Sequence, residues 1–187
     1  MTKGIIIVDL EATCEAKSIN DKYPMEIIEI GAVKVVDGQI VDTFSTFVKP
    51  TLTDSLTKFC TKLTTITWEN LQDAPHFADA LRSFLEWAEG YPLASWGWYD
   101  AKQFSRDCAL HGLSKRFLEG HRSIKHEYID NIRPKSRYRG SYFLPSILEY
   151  HRLDFEGTHH RGIDDALAVA KLYLHLYDEF EVEKSID

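Results

Sequence analysis

The chain has 187 residues, of which 44% are hydrophobic and 12% aromatic, and it carries a net charge of -7. This size and composition suit one folded domain, so residues 1–187 are predicted to form a single unit. The acidic balance argues against a protein that coats nucleic acid with a broad basic surface, although bound Mg²⁺ can reverse the field of an acidic site. No apolar run approaches the roughly 20 residues of a membrane helix, and charged residues occur too early for a signal peptide, which favours a cytoplasmic protein with no membrane partner.

The three cysteines, Cys14, Cys60 and Cys108, lie far apart and form no CxxC pair. Their spacing therefore predicts neither a disulfide framework nor a zinc site. We expect reduced thiols that are mostly buried.

The first fifty residues predict three antiparallel strands. Residues 4–10, GIIIVDL, form a continuous apolar run that turns acidic at its end, and residues 27–36, IIEIGAVKVV, form a second β-branched run. Asp37-Gly38 is a hairpin-turn signal before the third run, QIVDTFSTFV, at residues 39–48. Together these segments indicate a meander.

Helical spacing begins after residue 55. Apolar residues recur three and four apart in residues 55–63 and again in residues 76–90, which predicts two helices separated by a turn. Residues 91–98, YPLASWGW, read as a fourth strand, and residues 101–113 as a helix closed near Gly112.

The last third of the chain continues the alternation of strand and helix. HEYIDNI, at residues 126–132, reads as a fifth short strand, and a basic loop, RPKSRYRG, follows it. Residues 141–153 look helical, with Pro145 near the start, and a final helix is predicted from about Gly162 to about Asp178. Its predicted apolar face consists of Ile163, Ala166, Leu167, Ala170, Tyr173 and Leu174. This element order is typical of an α/β domain with a mixed sheet.

Acidic residues stand at the ends of predicted strands and the starts of predicted helices. Asp9 and Glu11 alternate with Leu10 in a strand, so both carboxylates project from the same side of the chain. Asp100 precedes a helix and Asp165 lies in the first turn of another. Taken singly, these residues read as a solvated strand end, a helix cap and a dipole-favoured acid.

As a group, these acids with a nearby histidine match what two-metal phosphoryl chemistry requires. Such chemistry needs several hard oxygen ligands and a base that takes a proton from water. The stretch HHRGIDDA, residues 159–166, offers two such pairs, because His159 precedes Asp164 by the same five residues that separate His160 from Asp165. Spacing alone leaves the choice open.

Three segments, IIIVDLEATCE, WGWYDAKQF and HRGIDDA, resemble the three motifs of the DEDDh branch of the DnaQ-like 3′–5′ exonuclease superfamily. More narrowly, EATCE, FSTFVKP, FCTKLTTIT and HRGIDDALAVA are similar to the histone-mRNA 3′ exonuclease (Eri-1-like) group. The resemblance implies an RNase H-like α/β fold, in which helices flank a mixed five-stranded sheet whose first three strands are antiparallel.

The resemblance also implies the roles of the acids and of one histidine. The family pattern has an aliphatic residue three after its histidine and a small residue after its aspartate, which Ile163 and Ala166 satisfy for the pair His160 and Asp165. His160 would then be the general base, and His159 and Asp164 would be a loop residue and a solvated acid. The implied metal residues are Asp9, Glu11 and Asp165, with Asp100 acting through a coordinated water. The implied cofactor is a pair of Mg²⁺ ions, for which Mn²⁺ substitutes.

The substrate contacts implied by the resemblance come from the residues Glu11, Ala12, Phe59, Leu63, Thr64, Tyr99 and His160. One departure is Thr65, which stands where the family usually has glycine. Trp98 is predicted to fill the core. The basic run Arg133, Lys135, Arg137 and Arg139 either guides a phosphate backbone or is a solvated loop, and the sequence favours neither.

The expected function is metal-dependent 3′–5′ trimming of single-stranded RNA or DNA ends, with RNA favoured and nucleoside 5′-monophosphates as products. A DNA exonuclease is the main alternative. A non-catalytic nucleic-acid-binding module is disfavoured because all five motif residues are present, and a zinc hydrolase because most candidate ligands are carboxylates. Protein partners are not predicted.

Overall fold

Three strands near the N-terminus form the antiparallel half of one sheet. In the computed structural model, which describes residues 4–15 and 24–181, they are β1 Gly4–Ala12, β2 Ile27–Val36 and β3 Gln39–Phe47. Asp37 and Gly38 adopt positive φ angles of 48° and 77°, which is the two-residue turn that matches the twist of a hairpin. The predicted meander is confirmed. Both ends of the predicted domain, residues 1 and 187, lie outside the described residues.

Two short strands extend the sheet on the other side of β1. They are β4 Leu93–Ser95 and β5 Arg122–Ser123, and the strand order is β3-β2-β1-β4-β5. β4 runs parallel to β1, and β5 runs parallel to β4. The predicted mixed five-stranded sheet with an antiparallel first half is therefore confirmed.

The position predicted for the fifth strand is wrong. β5 lies four residues earlier in the chain, and HEYIDNI falls instead in a continuous helical segment. Tyr128 and Ile132 are both buried there, and their spacing of four residues places them on one helical face. A run with apolar residues at this spacing fits a buried helix as well as a strand.

The helices lie on both faces of the sheet, and two of them depart from prediction. The segment between β3 and β4 holds three helices, where two were predicted, because Trp68–Leu71 forms an additional short one. The final helix ends at His175, and Leu176 separates it from a further short helix. The helices are α1 Lys58–Thr64, α2 Trp68–Leu71, α3 Phe77–Ala88, α4 Tyr99–Leu110, α5 Ile124–Glu127, α6 Leu144–Tyr150, α7 Gly162–His175 and α8 Tyr177–Glu181.

The predicted apolar face of α7 is confirmed in part, since Ala166, Ala170 and Tyr173 are fully buried, but the buried surface is wider than predicted. Ile163, Leu167 and Leu174 are only partly buried, whereas Val169 and Leu172 are almost completely buried. The reason is that α7 lies against the first three strands and is flanked by α6 and α8, so its buried surface is broader than a single stripe. Across the described residues, no helix combines the length and hydropathy needed to cross a membrane.

Side chains of β1 alternate between two cores. Ile5 and Ile7 pack in the cluster that contains α7, whereas Ile6, Val8 and Leu10 pack in the cluster built from α3 and α4. A strand places successive side chains on opposite faces. Asp9 and Glu11 consequently continue the face that looks towards α7.

Candidate active site

The two acids of β1 lie side by side under the start of α7. Glu11 is 8% exposed and Asp9 is half-buried, and Leu10 between them points into the opposite core. The predicted projection of both carboxylates from one side of the strand is therefore confirmed. This face carries the rest of the site.

Two glycines bring the start of α7 into contact with the sheet beside Asp9. Gly31 of β2 pairs with Asp9 across the antiparallel ladder. A Cβ atom added to Gly31 would lie 2.0 Å from the carbonyl carbon of Gly162, and one added to Gly162 would lie 2.9 Å from the carbonyl oxygen of Asp9. Only glycine permits this backbone approach, and it places the first turn of α7 directly over β1.

A buried glutamate fixes the same helix end. Glu29, which is 1% exposed and pairs with Glu11 across the ladder, accepts a hydrogen bond of 3.0 Å from the amide of Gly162. Its carboxylate also receives two bonds from the guanidinium of Arg161, at 2.8 Å and 3.1 Å. A carboxylate at a helix N-terminus satisfies a free amide and interacts favourably with the helix dipole.

Asp165 reaches the acids of β1 from the first turn of α7. Its Oδ2 atom accepts a hydrogen bond of 2.7 Å from the amide of His160. One potential ligand atom each from Glu11, His160 and Asp165 lies within 4.8 Å of the other two. The structure thus brings together residues from the first and the last predicted motif.

Asp100 joins this group from α4, but it does not cap the helix. The N-cap is Trp98, and Asp100 is the second residue of the helix. Its Oδ1 atom accepts a hydrogen bond of 3.0 Å from the amide of Leu10, and the residue is 4% exposed. Within β1, the short β4 pairs only with Ile6 and Ile7, so the Asp100 carboxylate accepts a hydrogen bond from the β1 amide of Leu10 beyond the end of β4.

Burial raises the pKa values of all four carboxyl groups, and repulsion by neighbouring acids adds to it for Asp9, Glu11 and Asp100. Burial, followed by the nearby acids, raises the pKa of Glu11 to about 8 and that of Asp9 well above its ordinary value. Burial raises the pKa of Asp100 to about 6 although hydrogen bonds oppose it, and it raises that of Asp165 as well. Nearby positive charge would favour the ionised form of these acids and lower their pKa values again.

The donor set fits hard divalent cations. It consists of four carboxylates and one imidazole, and oxygen ligands of this kind suit Mg²⁺ and Mn²⁺ better than Zn²⁺. Arg161 is bound by Glu29, so its charge is already engaged outside the group. A bound divalent cation would supply the missing positive charge.

The two histidines of the HHRGIDDA stretch occupy different environments. His160 is exposed, has a left-handed φ of 61°, and donates its amide to Asp165. His159 stacks on Phe155 with ring centroids 3.7 Å apart, and its Nδ1 atom lies 3.8 Å from Oδ1 of Asp165. The His159 ring therefore lies next to the candidate site, whereas the resemblance implied only a loop residue.

Asp164 has a structural partner. Its carboxylate accepts a hydrogen bond of 2.8 Å from the amide of Thr158, so it ties the preceding loop to the first turn of α7. A Cβ atom added to Gly157 would lie 2.4 Å from the Cγ atom of Asp164, which shows how tightly this loop is folded. Asp164 lies at the helix start as predicted, and this hydrogen bond gives it a structural role as well.

The residues predicted to hold the terminal nucleotide divide into exposed and buried sets. Phe59 on α1 is 43% exposed and Tyr99 on α4 is 46% exposed, so both present aromatic surface. Leu63 is half-buried, and Ala12 is buried. Thr64 is completely buried, with its hydroxyl bonded to the carbonyl of Cys60, so this side chain shapes α1 from beneath.

Thr65 stands at a backbone position that favours the glycine usual in the family, and the prediction that Trp98 fills the core is wrong. Thr65 ends α1 with a left-handed φ of 62°, a position that favours glycine because a β-branched side chain is strained there. Trp98 is 44% exposed rather than in the core, and its ring packs beside His121 and His126.

Sequence reasoning missed Glu29 and its partner Arg161. The available signal was a glutamate within the apolar run IIEIGAV, since an acid in a fully buried strand requires a partner.

The three cysteines form no disulfide bond. Cys60 and Cys108 are buried, and Cys14 is half-buried.

Comparison with known proteins gives consistent matches over most of the chain. The family RNase_T, described as Exonuclease, matches residues 6–173. Probable 3′-5′ exonuclease KapD of Bacillus subtilis is 29% identical over 178 residues, which are 92% of this chain and 83% of that protein. The 3′-5′ exoribonuclease 1 of Mus musculus is 29% identical over 94% of this chain and 53% of its own length.

A DNA polymerase and a solved nuclease are also similar. DNA polymerase III PolC-type of Caldanaerobacter subterraneus subsp. tengcongensis is 32% identical over 94% of this chain, which spans only 12% of that polymerase. The nuclease domain of 3′hExo, a DEDDh family member bound to rAMP, superposes with a TM-score of 0.84 and 28% identity, covering 95% of this chain and 92% of that one.

Proposed function

This chain belongs to the RNase_T exonuclease family, whose members related to it are 3′–5′ exonucleases of the DEDDh type, and on that premise we propose that it trims single-stranded RNA from the 3′ end. The observation that carries this proposal is the buried group of four carboxylates with His160 at its exposed side. The products would be nucleoside 5′-monophosphates.

We propose that Asp9, Glu11 and Asp165 bind two divalent cations and that Asp100 contributes through a water molecule. Mg²⁺ is the expected ion, and Mn²⁺ should substitute. When bound, the cations would stabilise the negative charge that develops on the phosphate and on the departing 3′ oxygen. The raised pKa values of these carboxyl groups support the assignment, because a bound cation would offset the burial and repulsion that disfavour their ionised forms.

The proposed general base is His160, whose imidazole takes the proton of the attacking water. Asp165 lies beside it and would stabilise the imidazolium that results. The backbone bond from His160 to Asp165 supports this role, since it fixes the point from which the ring reaches the site. His159 is the competing candidate because its Nδ1 atom is 3.8 Å from the same carboxylate.

The terminal nucleotide would lie between α1 and the start of α4. Phe59 and Tyr99 expose aromatic surface suited to stacking on the base or packing on the sugar. Glu11, Ala12, Leu63 and Thr64 would complete the pocket, with Thr64 acting through the shape of α1 because its side chain is buried.

RNA is favoured over DNA by the relatives. The match to an exoribonuclease and the likeness to a nuclease bound to rAMP support RNA. The match to a DNA polymerase favours the alternative of DNA as substrate. A few contacts to the 2′-hydroxyl distinguish the two.

We further propose that the residues of the chain act as one exonuclease domain in the cytoplasm. Three unpaired cysteines, two of them buried, are typical of a reducing compartment.

The deciding experiment compares RNA and DNA of the same sequence. Both strands are labelled at the 5′ end and incubated with Mg²⁺, with EDTA, and with the Asp165→Ala variant. A ladder of 3′-shortened RNA that disappears with EDTA and in the variant supports the proposal. Faster trimming of DNA than of RNA would change the proposed substrate from RNA to DNA. Absence of trimming of either strand would overturn the proposed enzymatic function.

A further inference from the structure

The strongest concentration of positive charge in this acidic protein is the loop of residues 133–143, hereafter the basic loop, which connects the helical segment after β5 to α6. Sequence reasoning left its role open between a phosphate track and a solvated loop.

The basic loop is held by aromatic side chains that point inwards. Tyr138 is 7% exposed and packs on Tyr150 with ring centroids 4.9 Å apart. The carbonyl of Tyr142 accepts a hydrogen bond of 3.3 Å from the indole of Trp96. The amide of Tyr138 and the hydroxyl of Ser136 close the loop through further bonds. A loop fixed in this way presents its outward side chains in a defined arrangement.

The outward side chains are cations and one large aromatic. Arg137 and Arg139 are exposed and flank the buried Tyr138. Arg139 bonds only the carbonyls of its own loop, at 2.8 Å and 3.2 Å, and in the described part of the chain neither arginine pairs with a carboxylate. Phe143 is 60% exposed, the most of any large hydrophobic residue described.

The C-terminal end of the basic loop lies at the sheet edge that carries the four carboxylates, whereas Tyr138, between the two arginines, packs on Tyr150 at the end of α6, towards the far end of α7. Trp96, which anchors the loop, directly follows β4, and β4 runs parallel to β1, so the anchor stands at the strand end where Asp9 and Glu11 lie. Tyr138 and Trp96 pack in the α7 cluster, on the face of the sheet towards which the two acids point.

We propose that the basic loop binds the phosphate backbone of the substrate strand on the 5′ side of the terminal nucleotide, with Arg137 and Arg139 on phosphates and Phe143 against a base. This inference rests on the proposed exonuclease function and extends it from the terminal nucleotide to the strand behind it. Guanidinium groups bind phosphate through paired hydrogen bonds, and aromatic rings stack on bases without sequence preference. The consequence is a substrate-length effect: long strands gain contacts that a dinucleotide cannot make.

The test measures trimming and binding of a 20-nucleotide RNA and a dinucleotide by the wild type and by the Arg137→Gln/Arg139→Gln variant. The matched control is Arg82→Gln/Lys115→Gln, which removes the same charge elsewhere on the chain; Arg82 lies on α3, on the opposite face of the sheet. We expect the loop variant to raise KM and Kd for the 20-mer about tenfold and to lower the salt slope of binding by about 0.7 per arginine. Its kcat/KM for the dinucleotide should stay within twofold of wild type.

A second variant, Phe143→Ala, separates stacking from charge. It should weaken binding of the 20-mer several-fold while leaving the salt slope unchanged, because a stacked ring releases no counterions. If the loop variant lost equal activity on both substrate lengths, or bound the 20-mer as well as the charge control does, the proposed binding by the basic loop would be overturned. The proposed exonuclease function would stand as long as the wild type trims RNA. Absence of trimming by the wild type, with the loop-dependent binding retained, would instead overturn the proposed function alone.

Discussion

At the level of single residues, the two adjacent histidines can be separated by experiment. The backbone amide of His160 donates a hydrogen bond to the carboxylate of Asp165. The ring of His159 instead stacks on Phe155, with its Nδ1 atom 3.8 Å from that carboxylate. A base must reach the attacking water, and a stacked ring has less freedom to do so.

We predict that His160→Ala lowers kcat by about 10² to 10⁴-fold, the range for loss of a general base. His159→Ala is the matched control and should lower kcat by about tenfold or less, since it removes only a neighbour of Asp165. Single-turnover trimming of labelled RNA measures both. If His159→Ala proved the more damaging change, the two roles would be exchanged.

Glu11 makes the stability of the metal-free protein depend on pH. Its pKa in the folded state is about 8, above its ordinary value of 4.5, so the folded state holds a proton that the unfolded state has released between these values. Stability from this group is therefore lost as pH rises through that window. The remaining raised carboxyls act in the same direction.

We predict that Glu11→Gln stabilises the metal-free protein by at least about 1 kcal/mol at pH 8 and has much less effect at pH 4.5. Urea unfolding in EDTA at both pH values measures the difference. Glu15→Gln is the control, since this neighbouring acid is exposed. A Glu11→Gln effect that is the same at both pH values would show that the gain does not come from ionisation.

At the level of elements, the strands of the first half were predictable and the helix ends were not. The bounds of β1 and β3 agree with prediction to within two residues and those of β2 agree fully, because β-branched runs and the Asp37-Gly38 turn are local signals. HEYIDNI was misassigned because a short run with Tyr128 and Ile132 four residues apart fits either element until its partner helix is known.

In the candidate site too, the residues placed by local sequence patterns were predicted, and those that depend on distant partners were missed. The acids of β1 were placed correctly by alternation along one strand. Glu29 was missed because its partner, Arg161, is 132 residues away. Trp98 was wrongly assigned to the core, since nothing in its sequence surroundings reveals that the chain bends away from the sheet after β4.

The contact between β2 and α7 gives a prediction at this scale. Gly31→Ala places a Cβ atom 2.0 Å from the backbone of Gly162, so α7 must move away from Asp9. We expect a loss of about 1 to 3 kcal/mol in stability and a fall in kcat although no candidate ligand is changed. Gly112→Ala is the control for stability loss without contact to the site: its Cβ atom meets open space, but its φ of 64° favours glycine, so it should cost about 1 to 2 kcal/mol without lowering kcat. Urea unfolding and trimming under native conditions measure both effects, and an active, fully stable Gly31→Ala protein would contradict the role of this contact.

At the level of the whole molecule, the carboxylate group couples folding to divalent cations. A ligand that binds only the folded state stabilises it by about 2.7 kcal/mol at 100 times its Kd, which corresponds to a rise in Tm of roughly 5 to 10 °C for a chain of this size. We predict such a rise with Mg²⁺ or Mn²⁺ relative to EDTA.

A thermal scan at matched ionic strength tests this coupling. Asp165→Asn should lose most of the increment, because it removes an anionic ligand from the group, whereas Asp164→Asn should keep most of it, since Asp164 binds the loop at Thr158. An equal increment in wild type and Asp165→Asn would place the cation elsewhere on the protein.

The bond between Glu29 and Arg161 joins residues 132 positions apart, and it anchors the helix that brings Asp165 to Asp9 and Glu11. A ribosome must therefore release almost the whole described chain before the two halves of the site can meet, since synthesis proceeds from the N-terminus. A nascent polypeptide that ends before His160 carries the acids of β1 but neither His160 nor Asp165. Chains that stop at that point would hold only Asp9, Glu11 and Asp100 of the four candidate metal residues.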